Sequence, residues 1–233
     1  MPWLTQLADV ARRTGYPVTE VSGWKTRGHG PQPEVQGIVC HHTAGPAGGG
    51  NYPSLAVVRD GRPGLDGPLS HFGLGRDGTI YVIAAGRCWH NAPSTSANHT
   101  NSCSIGIEAE NNGSQEWPAV QLDAYRKLCA ELCKEFGIQV SQVKGHKEVN
   151  SGKPDPHGVN MNDFRLRVVQ LIEGDEDVDI DAIWHDARIK LNKGEKDEKS
   201  VSPAAYLQHI ESSQDDIRRQ LIEVLVKLDA LTR

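Results

Sequence analysis

Two stretches of this 233-residue chain carry residue types that could do chemistry. GHKEVNSGKPDPHG (145–158) holds two histidines, an aspartate and two lysines, and GIVCHHT (37–43) ends an apolar run in two more histidines. A catalytic zinc takes three protein ligands from His, Asp, Glu or Cys and keeps its fourth position for water. His41, His146 and Asp155 can supply that set. A lone histidine at a strand end is more often structural, but a second histidine and an aspartate on another loop shift that balance. A metal-activated water also needs a base. Glu108 and Glu110 of SIGIEAE (104–110) share a strand face, and their spacing does not choose between them. Either could instead be a solvated edge carboxylate, which is the commoner fate.

Competing chemistries are weaker. Cys40 next to His41 suggests a thiol nucleophile with an adjacent base. Strand alternation, however, sets Ile38, Cys40 and His42 on one face and Val39, His41 and Thr43 on the other. Cys40 therefore reads as a buried, inert thiol. GLGRDG (73–78) fits the dinucleotide fingerprint in form, but a strand follows it, and pyrophosphate binding needs a helix N-terminus there. His71 and His90 either line a cleft or are hydrogen-bonded structural histidines.

The elements that must position these residues follow from periodicity. Residues 3–14 form a short helix with Leu4, Leu7, Ala8 and Ala11 on one side. The Gly/Pro-rich 23–34 is loop, 35–43 a buried strand, and a long loop leads into a segment at 55–59. Residues 71–84 form a hairpin turning at Asp77-Gly78, and 104–110 another strand. Helix 117–137 begins at Pro118, buries Leu122, Tyr125, Leu128, Cys129, Leu132 and Phe136, and stops at Gly137. A strand at 138–143 delivers His146, and a second amphipathic helix spans 161–174.

Composition changes near residue 175. From 176 to 233 the chain reads as charged and helical, with a polar linker at 192–201 and an amphipathic helix at 203–232. Leu207, Ile210, Gln214, Ile217, Leu221, Val224, Leu228 and Leu231 make a heptad seam. That helix either packs back on the main domain or self-associates as a coiled coil, which would make a homo-oligomer.

Net charge is −5, and no Lys/Arg block stands out, which argues against a nucleic-acid partner. No basic-then-apolar leader opens the chain, and no apolar run reaches the roughly 18–20 residues of a membrane span. Neither a signal peptide nor membrane insertion is expected. Five cysteines without CxxC spacing point to free thiols.

GIVCHHTAG, SHFGLGRDGTIYVIAAGRCWHNA, NSCSIGIEAENNG and GHKEVNSGKPDP occur in this order and at suitable separations. Together they resemble the zinc-dependent N-acetylmuramoyl-L-alanine amidases of the amidase-2 and peptidoglycan-recognition-protein superfamily. With GWKTRGHGP upstream, the chain looks like endolysins of bacteriophages that infect actinobacteria. The resemblance spans roughly residues 3–172. It implies an α/β catalytic domain (1–175) with a mixed central β-sheet flanked by helices, followed by the helical C-terminal region.

The resemblance also implies roles. One Zn²⁺ per chain would be held by His41 (the first histidine of HHT), His146 and Asp155, where some relatives use cysteine. Glu108 would be the catalytic base, selected over Glu110. Relatives with a catalytic tyrosine carry it where this chain has Ser70, which sides the chain with the glutamate-using branch. Lys153 would stabilise the oxyanion as water attacks the amide between the N-acetylmuramic acid lactyl group and L-alanine. Substrate contacts are expected from His42, Thr43, His71, Trp89, His90 and Asn111, whereas Glu148 and His157 read as bystanders or substrate contacts. The partner would be bacterial peptidoglycan. The protein would be made in the host cytoplasm and would reach the wall once a separate protein permeabilises the membrane. A muropeptide-recycling amidase and a non-catalytic recognition module are the alternatives.

Overall fold

In the computed structural model, which describes residues 3–174, the elements in chain order are α1 (Leu7–Arg12), β1 (Val18–Glu20), β2 (Gly37–His42), α2 (Leu55–Asp60), β3 (Gly61–Arg62), β4 (Leu65–Asp66), β5 (Phe72–Leu74), β6 (Ile80–Val82), β7 (Ser104–Ala109), α3 (Ala119–Phe136), β8 (Val143–Gly145), α4 (His146–Val149) and α5 (Met161–Glu173). The expected linker at 192–201, the helix at 203–232 and its heptad seam lie outside the described residues. Six strands form one sheet in the order β1-β6-β5-β7-β2-β8, and β3 and β4 form a small separate hairpin. β5 and β6 pair antiparallel, whereas β7 pairs parallel with β5 and with β2, and β8 pairs parallel with β2. The expected mixed sheet flanked by helices is therefore present.

The central strands are apolar on both faces, as expected of strands covered on both sides. Ile38, Cys40, Ile105 and Ile107 face a core shared with α1, α3 and α5. Helix α3 follows Pro118 and ends at Gly137, whose φ of 64° suits the left-handed cap that glycine accepts without penalty. Tyr125, Leu128, Cys129 and Leu132 bury its inner face. The Tyr125 hydroxyl lies 3.1 Å from the His41 carbonyl and 3.0 Å from that of Ile107, which ties α3 to β2 and β7 behind the future site. Helix α5 starts at Asn160, whose side chain accepts the amides of Asn162 and Asp163.

Several expectations shift in detail. The α-helix near the N-terminus is only Leu7–Arg12, although Leu4, Leu7, Ala8 and Ala11 are all buried as expected. Strand β1, parallel to β6, falls in a stretch for which no strand was expected. The strand anticipated at 138–143 is instead β8 at 143–145; residues 140–142 form a 3-10 turn, and Ile138 reaches the core from irregular chain. GLGRDG is the turn of the β5–β6 hairpin, where Gly78 takes a φ of 87°. All five cysteines are free and buried. Among the described residues no helix is long and apolar enough to cross a membrane.

Candidate active site

The site is assembled at the carboxyl ends of three parallel strands, where open α/β sheets place their ligands. His41, next to last in β2, lies on the face opposite Cys40. Across the ladder its register partner is Glu108 of β7, so the two side chains leave neighbouring strands on the same face. β8 runs beside β2 and passes directly into α4, whose first residue is His146. Asp155 comes from the loop after α4, which folds back onto that helix. There the Lys147 amide donates to the Asp155 carbonyl at 2.8 Å, and the Lys147 ammonium donates to the carbonyls of Pro156 and Val159. Glu148 is structural: it accepts the Gly145 amide and pairs with Arg165.

Three side-chain atoms converge. His41 Nδ1 lies 2.9 Å from His146 Nδ1 and 3.2 Å from Asp155 Oδ2, and the last two are 3.0 Å apart. All three residues are buried. Hydrogen bonds alone cannot satisfy such a triangle, because each ring nitrogen offers either one proton or one lone pair in its ring plane. A tetrahedral ion with bonds of about 2.0–2.1 Å keeps its donors roughly 3.3–3.4 Å apart, close to these spacings. Two imidazoles and a carboxylate are also a zinc donor set. The three residues therefore fit a metal, and they are the only His/Cys/Asp/Glu group among the described residues that does.

The electrostatics agree. Burial pulls His41 down to about 4, so its imidazole is neutral at physiological pH, as a ligand must be. Burial raises Asp155, but the adjoining imidazoles of His146 and His41 more than offset this and hold it well below the usual carboxylate range. Glu108 behaves oppositely. Burial, then the charges of Asp155 and Glu110, push it up to about 8 against the pull of Lys153. Its Oε2 is buried without a hydrogen-bond partner. A dication at the triangle would oppose that rise.

A cleft of about 500 Å³ opens over these groups, lined by His42, Thr43, Trp89, His90, Glu108, His146, Lys153 and Asp155 and walled on one side by Pro53, Val57, Leu65 and Leu69. Lys153 is exposed at its rim. Of the anticipated substrate contacts, His42, Thr43, Trp89 and His90 are brought to the cleft. His71 is fully buried, its Nδ1 accepting the Gly106 amide, and Asn111 is buried with its side chain bonded to Gln115 and Gly113; neither lines the cleft. Trp89 is 40% exposed and stacks on His29 with ring centroids 3.7 Å apart. His157 donates its amide to His42 Nδ1.

Sequence reasoning gave Glu110 no role beyond that of rival to Glu108. The structure makes it an anchor: its carboxylate accepts from Thr43 Oγ1 at 2.9 Å and from the amide and hydroxyl of Ser54, both at 3.0 Å. Nothing local in the sequence marks these partners, since they come from the far ends of the 43–54 loop.

A family model described as N-acetylmuramoyl-L-alanine amidase (Amidase_2) matches residues 31–158, which include every residue of the triangle, Glu108 and Lys153. No curated protein matches the chain. Among solved structures, a selenomethionine derivative of AmpD aligns with a TM-score of 0.51 at 20% identity, over 65% of this chain and 93% of that one. The N-acetylmuramoyl-L-alanine amidase LysC from Clostridium intestinale URNW aligns at 0.50 with 23% identity, over 65% and 96%. A mutant endolysin from Bacillus subtilis aligns at 0.50 with 24% identity, over 66% and 99%. At such identities these neighbours speak for the fold, while the family match covers more than half of the chain. The chain belongs to the Amidase_2 family of N-acetylmuramoyl-L-alanine amidases.

Proposed function

We propose that the protein is a zinc-dependent amidase that cuts peptidoglycan between the lactyl group of N-acetylmuramic acid and L-alanine, and that it serves as a phage endolysin. The observation that carries the chemistry is the triangle of His41 Nδ1, His146 Nδ1 and Asp155 Oδ2 on the floor of a cleft shared with Glu108 and Lys153. The lysis role is supported by the GWKTRGHGP…HHTAGP opening and by the added C-terminal region.

Bound at the triangle, zinc would supply Lewis-acid chemistry, lowering the pKa of a water from about 16 toward about 7 and polarising a carbonyl. Glu108, unpartnered and facing the cleft, accepts the proton of the attacking water and passes it to the departing amine of L-alanine. Lys153 at the rim places an ammonium where negative charge develops on the carbonyl oxygen. The cleft walls exclude water from one side and leave an open side for a polymeric substrate.

Purified actinobacterial walls, incubated with the protein with and without chelator, test the proposal. New L-alanine N-termini should appear while the glycan chains stay intact, and chelation should stop their release. Cleavage of glycosidic bonds, or release insensitive to chelation, would overturn it. Activity on soluble muropeptides but not on walls would favour the recycling alternative.

A further inference from the structure

His90 sits beside the triangle without belonging to it. Its Nδ1 lies 3.2 Å from His41 Nε2, the nitrogen of His41 that faces away from the triangle. Its Nε2 lies 3.3 Å from the Ser104 carbonyl and 3.3 Å from the Ser104 hydroxyl. The carbonyl can only accept. The hydroxyl donates its own proton to the Thr100 carbonyl at 2.7 Å, so it too presents lone pairs to the ring. Both oxygens therefore require a proton on His90 Nε2. In the neutral ring that leaves Nδ1 as an acceptor, which in turn calls for the proton of His41 on Nε2. The other nitrogen, His41 Nδ1, is then a bare lone pair, and it is the atom in the triangle.

We infer that His90 is a positioning residue: relaying from the Ser104 backbone, it fixes the tautomer and ring orientation of His41 so that the Nδ1 lone pair points into the His41–His146–Asp155 triangle. This rests on the metal-site reading above. A ligand histidine commonly has its second nitrogen held by a carboxylate, carbonyl or water; here that place is taken by another imidazole, itself oriented by a backbone oxygen. With both nitrogens engaged inside the protein, His90 presents no free nitrogen to a substrate although it lines the cleft.

Two further features seat the ring. A Cβ at Gly106 would fall 2.7 Å from His90 Cγ and 3.0 Å from its Nδ1, so the glycine of S-I-G-I-E leaves the space this imidazole fills. Asn101 Oδ1 accepts the amides of both His90 and Asn91, at 2.9 and 2.7 Å, fixing the backbone from which the ring projects.

The test uses the full chain stripped of metal and titrated with Zn²⁺ against a chromophoric chelator. His90→Ala should weaken zinc binding by about 10–100-fold. His90→Asn, whose Oδ1 can accept the His41 proton, should recover most of that loss. Long-range ¹⁵N–¹H spectra of the metal-free wild type should show His41 as its Nε2–H tautomer, a readout that does not depend on any variant folding. Wild-type zinc affinity in a folded His90→Ala, with only KM raised, would make His90 a substrate contact and overturn the inference. So would an Nδ1–H tautomer of His41 in the wild type. A wild type that binds no zinc would overturn the metal site itself and this role with it.

Discussion

Glu108 and Glu110 leave the same chain segment two residues apart and, by strand alternation, on the same side of the sheet. Their surroundings are opposite. Glu110 is buried with three donors on its carboxylate and Arg76 at 3.8 Å. Arg76 also holds the carbonyls of Gly50 and Pro46, so the pair straps the whole 43–54 loop over the end of β7. Glu108 is half-buried, feels the charges of Asp155 and Glu110, and keeps one buried oxygen with no partner. A carboxylate with donors on every side is held still, which suits an anchor. One denied donors is raised toward neutral pH, which suits a group that must take up and release a proton. The difference lies in what the neighbouring loops bring, not in the glutamates themselves.

That contrast breaks most sharply at Glu108. Glu108→Gln should lower hydrolysis by about 10²–10⁴-fold while zinc binding is kept. Should Glu110→Gln be the dead variant, with zinc bound and the fold intact, base and anchor are reversed. Lys153→Ala should cost about 10²–10³-fold in kcat with zinc still bound; loss of metal instead would make Lys153 structural. The anchor side predicts a stability effect. Glu110→Ala leaves the Ser54 amide and two hydroxyls without their acceptor, at a cost of about 1–3 kcal/mol in denaturant unfolding. Gly45→Ala probes the same contact, since its Cβ would fall 2.3 Å from Glu110 Oε1. An unchanged Tm in both variants would show that the strap carries no load.

The smallest effect is a pH dependence. In the metal-free protein Glu108 is pushed up to about 8 from an ordinary value of 4.5, first by burial. Between those values the folded state holds a proton that the unfolded chain has released, so stability falls as pH rises through the window. Glu108→Gln removes this contribution. The Tm of metal-free wild type should therefore drop, relative to the variant, between about pH 5 and about pH 9; parallel curves would show that Glu108 titrates normally.

Much of the fold was legible because its signals are local. The α3 pattern between Pro118 and Gly137, the Asp77-Gly78 turn and the apolar run before His41 each specify an element within one segment. Strand β1 was not, because three residues with exposed Thr19 and Glu20 show no alternation, and its pairing with β6 comes from packing. Local pattern also misplaced the strand before His146, since the burial of Ile138 looks the same in a strand as in irregular chain.

For the site, residue types and spacing named His41, His146 and Asp155 as a possible donor set, and alternation alone turned Cys40 away from it. Neither could choose between Glu108 and Glu110, and resemblance to a family was needed for that. Only the tertiary structure shows that Ser54 and Thr43 close around one glutamate and leave the other open, that Lys147 draws the Asp155 loop back over α4, and that His90 stands behind His41. The reason is physical: a side chain's identity sets what it can donate or accept, but partners distant in sequence set whether it is satisfied, and an unsatisfied buried group is what makes a site reactive.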